Sequence, residues 1–255
     1  MINYETSDDL LELFQNKRVA IVGPSPHLIG TNMGNLIDSH DLVCRINEIH
    51  PTGYEKDYGN RTDVVFHNCG AAFVGFFGEQ IQKKSIISKN LKFVICPSVK
   101  SQGTDNDWAN WPKNKQSDVV NNFKRINIFN TPFCWIGLEN YRKVYDLFGT
   151  EPNAGQTSII IALEHAVKQL LVTGFSFYQQ GDMPEQSHRP GHTQRGLENS
   201  PCGNSSHRQD PQIKTFTQKI LKKYGHKIVI DSKLDNILKC NHSNVINLNE
   251  NKDRI

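Results

Sequence analysis

The 255 residues contain no CxxC pair, no GxGxxG, no GK[ST], no long apolar run and no large surplus of one charge. The six cysteines (Cys44, Cys69, Cys96, Cys134, Cys202 and Cys240) are widely and unevenly spaced, which excludes a zinc finger or ribbon framework. Lys plus Arg total 29 against 26 for Asp plus Glu, a formal net charge of +3. Nucleic-acid or anionic-membrane binding driven by bulk charge is therefore excluded. The longest stretch free of polar side chains, 70–78, is far too short to span a bilayer. The amino-terminal MINYETSDDLLELF is acidic where a secretory leader is basic. With no export address and no transmembrane segment, all-reduced cysteines and a cytoplasmic location are expected.

Short apolar runs recur along the chain. VAIV at 19–22, DLVCR at 41–45, DVVFH at 63–67 and KFVIC at 92–96 read as buried parallel strands. INIF at 126–129, QLLVTGF at 169–175 and HKIVID at 226–231 continue the series. Helical patterns fall at 5–15, with Leu10, Leu11 and Phe14 on one side, and at about 75–90, 114–124, 138–147, 155–168 and 211–224. Strand, crossover, strand repeated this way predicts a single doubly wound, Rossmann-like α/β sheet, with 1–255 as one domain. The stretch 181–211 holds four Gly, four Pro and three His. Loops of that length are functional lids or disordered inserts, and the histidines favour a mobile lid.

Five places carry candidate chemistry. The first strand ends in GPSPHLIGTNMG, and in open α/β sheets ligands sit beyond such strand ends. A tight turn stiffened by Pro24 and Pro26 accounts for the same residues structurally. Asn153, Ala154 and Gly155 precede a helix whose free N–H groups can hold an anion; an ordinary helix start is the alternative. His207 lies just ahead of Asp210, a good N-cap, and Pro211, a good first helical residue. The positive helix end disfavours an imidazolium there, which suits a general base. A solvated loop histidine is the plain reading. His188 and His192 share the long loop in HRPGH, where Pro-Gly argues against a helical metal pair. Asp105 and Asp107 form a DxD that could carry a divalent metal, or simply turn the chain.

Taken together, these segments resemble glycosyltransferase family 29, the sialyltransferases. VAIVGPSPHLIGTNMGNLIDSHDLVCRINE at 19–48 looks like the large sialylmotif, with IDSHDLVCRIN its most specific part, and GYEKDYGNRTD at 53–63 continues it. PNAGQTSIIIALEHAVKQLLVTGF at 152–175 is similar to the small motif. The third motif falls within 188–192, and the very small motif begins at His207. The matches span roughly residues 18–225.

The resemblance implies a variant GT-A fold and an inverting, metal-independent transfer from a CMP-activated sugar to a glycan or glycolipid hydroxyl. The donor is CMP-sialic acid or the related CMP-Kdo, and no cofactor or resident metal is implied. His207 then matches the catalytic base, and His188 or His192 the histidine near the donor phosphate. Asn47 matches the asparagine that contacts the nucleotide. Ser25 lies in the turn that holds CMP, Asn153, Ala154 and Gly155 near the donor, and Gly174 beside the nucleotide. The departures are Pro24 where the family has Asn, Asn153-Ala154 in place of Ser-Thr, and Gln212 in place of the last glutamate. Val19 and Ala166 occupy the positions of the animal members' disulfide cysteines, which points to a bacterial-type or viral-type member. Two alternatives remain: a metal-dependent UDP- or GDP-sugar transferase using Asp105 and Asp107, and a non-catalytic glycan-binding protein on a degenerate transferase fold.

Overall fold

A computed structural model describes residues 7–46, 53–67, 90–97, 121, 123–125, 130–150, 152–177 and 209–248. Helix α1 (Ser7–Phe14) leads into β1 (Arg18–Val22), followed by a 3₁₀ turn (Pro26–Leu28), α2 (Gly34–Asp38), β2 (Leu42–Ile46), α3 (Glu55–Tyr58) and β3 (Val64–Phe66). Then come β4 (Phe93–Cys96), β5 (Phe133–Trp135), α4 (Gly137–Phe148), α5 (Ala154–Glu164) and β6 (Gln169–Thr173). The described chain closes with α6 (Gln209–Thr215), a π-wound turn (Phe216–Leu221), α7 (Lys222–Tyr224), β7 (Ile228–Asp231), α8 (Ser232–Leu238) and β8 (Val245–Ile246).

The eight strands form one sheet in the order β5-β4-β3-β2-β1-β6-β7-β8, and every pair is parallel. Strand β1 sits inside it, with Val22 opposite Arg45 of β2 on one side and Thr173 of β6 on the other. Its side chains alternate between two cores, as the pleat requires. Val19 and Ile21 pack with Phe14, Ile160 and Leu170, beneath α1, α4 and α5. Ala20 and Val22 pack with Leu28, Met33, Ile37 and Tyr58, beneath α2 and α3. Burial on both faces explains why the strand sequences are continuously apolar rather than alternating. The expected doubly wound sheet is thus the observed one.

Some boundaries differ. Leu11, expected beside Leu10 and Phe14, is 37% exposed; it lies about 100° round the helix from Leu10. The fifth strand of the sheet is Phe133–Trp135, beyond the INIF run, which lies outside the described residues. Helix α5 stops at Glu164 instead of running to 168, because Ala166 turns at φ +57° and the chain then enters β6. Most of 181–211, the expected lid, also falls outside the described residues; its last three positions begin α6.

Arg45, at the carboxyl half of β2, is 3% exposed and fixes the loop beyond α3. Its Nη2 donates to the carbonyls of Tyr58, Gly59 and Arg61 at 2.9, 3.1 and 2.9 Å, and its Nε to Thr62 Oγ1 at 2.9 Å. Burial pulls its guanidinium down to about 10, so it remains charged at neutral pH. The planar fork satisfies several acceptors at once, which a lysine could not do.

Candidate functional site

The sheet reverses its direction of growth at β1. From β1 the strands run outward through β2 to β5 on one side and through β6 to β8 on the other. Such a reversal opens a crevice at the carboxyl ends of the two middle strands. Here the crevice is closed at its base by two glycines. Gly23 N–H donates to the Thr173 carbonyl, and Ser25 N–H to the Gly174 carbonyl, both at 2.8 Å. A Cβ on Gly23 would strike the Gly174 carbonyl, and a Cβ on Gly174 would lie 2.5 Å from the Gly23 carbonyl. Gly174 also turns at φ +74°, where a side chain is strained. The ring of Phe175 fills the remaining space; it would sit 3.0 Å from a Cβ on Gly23 and 2.5 Å from one on Gly155. The end of β1, the end of β6 and the start of α5 therefore meet on one aromatic ring.

Ser25 is 3% exposed. It precedes the 3₁₀ turn but does not cap it. Its Oγ pairs instead with His27 Nδ1 at 2.9 Å. The other ring nitrogen of His27 faces Asp231 Oδ2 at 3.2 Å, with the two side chains 2% and 0% exposed. Asp231 ends β7 and caps α8, its Oδ1 accepting from Leu234 N–H at 2.8 Å. Its Oδ2 also accepts from Thr173 Oγ1 at 2.8 Å and Gly174 N–H at 3.2 Å. Burial works to raise this carboxyl, yet the His27 bond, with the other donors, holds it below the usual carboxylate range. The Ser25 carbonyl accepts from the Tyr58 hydroxyl of α3 at 2.5 Å.

Asn153 caps α5 from extended backbone, its Oδ1 accepting from Gln156 N–H at 2.8 Å. The first-turn N–H groups of Ala154 and Gly155 lie at the open end of the helix. The Asn153 amide also donates to Gln212 Oε1 of α6 at 3.1 Å, tying the start of α5 to the helix that follows His207. Among the described residues, Gln212 Nε2 and both polar atoms of the Gln156 side chain are buried without a partner. Helix α6 begins at Gln209. Asp210 and Pro211 are therefore inside its first turn, not at the N-cap and first position as expected. Both still suit a first turn, where Pro lacks an N–H that would have no partner and Asp meets the positive helix end.

Of the residues singled out from the sequence, Ser25 and Gly174 are bonded to each other. Gly155 stands beside them through Phe175, with Asn153 and Ala154 just before it in the chain. Asn47 follows β2 directly, and it lies outside the described residues, as do His188, His192, His207, Asp105 and Asp107. Among the described residues no cluster of three or more His, Cys, Asp or Glu could hold a metal, and Cys44, Cys96, Cys134 and Cys240 form no disulfide. No helix there is long and apolar enough to cross a membrane. His27, Asp231 and Tyr58 were not anticipated. The available pointers were a histidine two residues past Ser25 and an aspartate closing the HKIVID strand.

A single parallel sheet with its crevice at this reversal is the architecture of the GT-A-like glycosyltransferases, and two solved sialyltransferases share it. One is a mammalian sialyltransferase in complex with Gal-beta-1-3GalNAc-ortho-nitrophenol (TM-score 0.52, 20% identity, 89% of this chain and 73% of that one). The other is a variant of the sialyltransferase CST-II in complex with CMP (TM-score 0.54, 18% identity, 91% and 88%). The family model for glycosyltransferase family 29 (sialyltransferase) matches residues 7–188. The chain belongs to that family. Among curated relatives, a chicken CMP-N-acetylneuraminate-beta-galactosamide-alpha-2,3-sialyltransferase 1 is 29% identical over 168 residues, 66% of this chain. The chain covers 46% of that relative's length.

Proposed function

We infer that the protein is an inverting, metal-independent sialyltransferase that moves sialic acid, or the related Kdo, from its CMP donor to a glycan or glycolipid hydroxyl. The observation that carries this reading is the union of the large-motif turn, through Gly23 and Ser25, with the small-motif residues Gly174 and Gly155 at one crevice of a family 29 sheet. In the reaction, neutral His207 takes the proton of the acceptor hydroxyl as its oxygen attacks the anomeric carbon. The bond from that carbon to the CMP phosphate breaks on the opposite face, which inverts the centre. Negative charge grows on the departing phosphate. The open first turn of α5 and either His188 or His192 are suited to stabilise it. Ser25, Asn47, Asn153 and Gly174 hold the nucleotide and sugar. No step uses a metal, so EDTA leaves the rate unchanged.

A thermal-shift panel tests the donor. CMP and CMP-sialic acid are expected to raise the melting temperature, and UDP and GDP to leave it unchanged. A shift with UDP together with manganese would favour the Asp105–Asp107 reading instead. Replacement His207→Ala is expected to lower transfer by about 10²–10⁴-fold while CMP still binds. Near-normal transfer by that variant would remove His207 from the mechanism, and CMP binding without transfer or donor hydrolysis by the wild type would indicate a degenerate, glycan-binding member.

A further inference from the structure

We propose that Ser25, His27 and Asp231 form a proton-coupled positioning relay for the donor, in which His27 sets the direction of the Ser25 hydroxyl and the protein takes up a proton when it binds the anionic phosphate. The proposal rests on the reading of this crevice as the donor site.

The direction follows from the partners. Asp231 is ionised and collects donors only, from Leu234 N–H, Thr173 Oγ1 and Gly174 N–H. Its contact with His27 Nε2 at 3.2 Å is therefore a bond donated by the ring. In the neutral imidazole, Nδ1 is then the acceptor, and the Ser25 hydroxyl must donate to it across 2.9 Å. Ser25 presents only lone pairs to the crevice in that state. When the ring gains a proton from solvent, Nδ1–H donates to Ser25 Oγ, and the hydroxyl hydrogen is released toward the crevice. A phosphate oxygen can accept that hydrogen, and the imidazolium behind it adds attraction. The main-chain groups of Ser25 are already committed, N–H to Gly174 and carbonyl to Tyr58. Its hydroxyl is the group left to turn.

Among the described residues, the titratable groups packed against the relay are few. Asp231 faces it from β7. Tyr58 faces it from α3, its phenol pushed up by burial. Asp57, next to Tyr58, is occupied by Gly30 and Asn32 N–H at 2.8 Å each. Asp231, in contact with the ring at 3.2 Å, is already in place to balance an imidazolium.

The probe is cytidine 5′-(methyl phosphate), a diester whose charge is constant where the second ionisation of CMP would interfere. Isothermal titration with the wild type is expected to show binding that tightens about tenfold from about pH 8 to about pH 6, with net proton uptake in buffers of different ionisation heat. Replacement His27→Gln keeps a donor for Asp231 and cannot titrate; it is expected to bind with a flat pH profile. Ser25→Ala, which leaves the His27–Asp231 contact intact, is expected to bind more weakly and with a shallower pH dependence, that of the imidazolium charge alone. Circular dichroism melts at each pH check that both variants fold. Binding that tightens equally with acid in wild type and in both variants overturns the relay while leaving the donor reading intact. Failure of the wild type to bind the probe at any pH overturns the donor reading and the relay with it.

Discussion

At Gly174 two demands fall on one backbone. The residue turns at φ +74°, and the space a Cβ would take is occupied by the Gly23 carbonyl 2.5 Å away. Gly174→Ala must pay for both, roughly 1–2 kcal/mol for the left-handed backbone and more for the displaced carbonyl. Urea unfolding is expected to show a loss of about 3 kcal/mol, with CMP binding lost as the β1 and β6 turns separate. A change below about 0.5 kcal/mol would mean that the turns are not locked together. This constraint was legible as a glycine in a motif, although its cause, a second glycine across the sheet, was not. The relay residues were harder to read. His27 and Asp231 lie 204 positions apart, and no periodicity or spacing rule links two residues that meet only because β1 and β7 flank β6. Asp231 read as the end of a strand, which it is, and its role as helix cap and histidine partner comes from tertiary placement.

Strands were read well for a physical reason: a parallel strand covered on both faces leaves a continuous apolar run. The central strands β1, β2, β6 and β7 all fall on such runs. The edge strand β5 has three residues behind Pro132 and gives no comparable run. Helix ends were less legible because caps act through geometry. Asn153 was recognised ahead of α5, but its second bond, to Gln212, joins helices far apart in sequence. That bond joins the start of α5 to the helix that follows His207 in sequence. Asn153→Ala alone is expected to cost about 1 kcal/mol as a lost cap. In a double-mutant cycle with Gln212→Ala, the coupling is expected to be at least about 0.5 kcal/mol, measured by urea unfolding. Additive losses would show that the two helices are not joined through these amides.

Stability against acid is a property of the whole fold, and two buried groups, His40 and Asp231, contribute to it. His40, packed between α2 and β2, is held below the usual histidine value chiefly by burial, with Arg18 adding repulsion, against the Leu36 and Ile37 carbonyls that favour its charge. The unfolded chain thus binds more protons at His40 than the folded chain does. Its contribution is complete above about pH 6.5 and is lost as pH falls below that value. Asp231 is also depressed, burial opposing and the His27 bond prevailing. Its contribution is complete above about pH 4 and disappears only at more acid pH. Acidification also adds positive charge to a chain already at +3, and with it general repulsion. Comparison with His40→Gln separates the two effects. Urea unfolding free energies are expected to fall for the wild type between about pH 7.5 and pH 5.5, and to fall less for His40→Gln over the same range. Asp231→Asn is expected to be less stable throughout and to lose the further decline below about pH 4. Wild type and His40→Gln declining in parallel from neutral pH would show that His40 is not the group whose burial sets the first step.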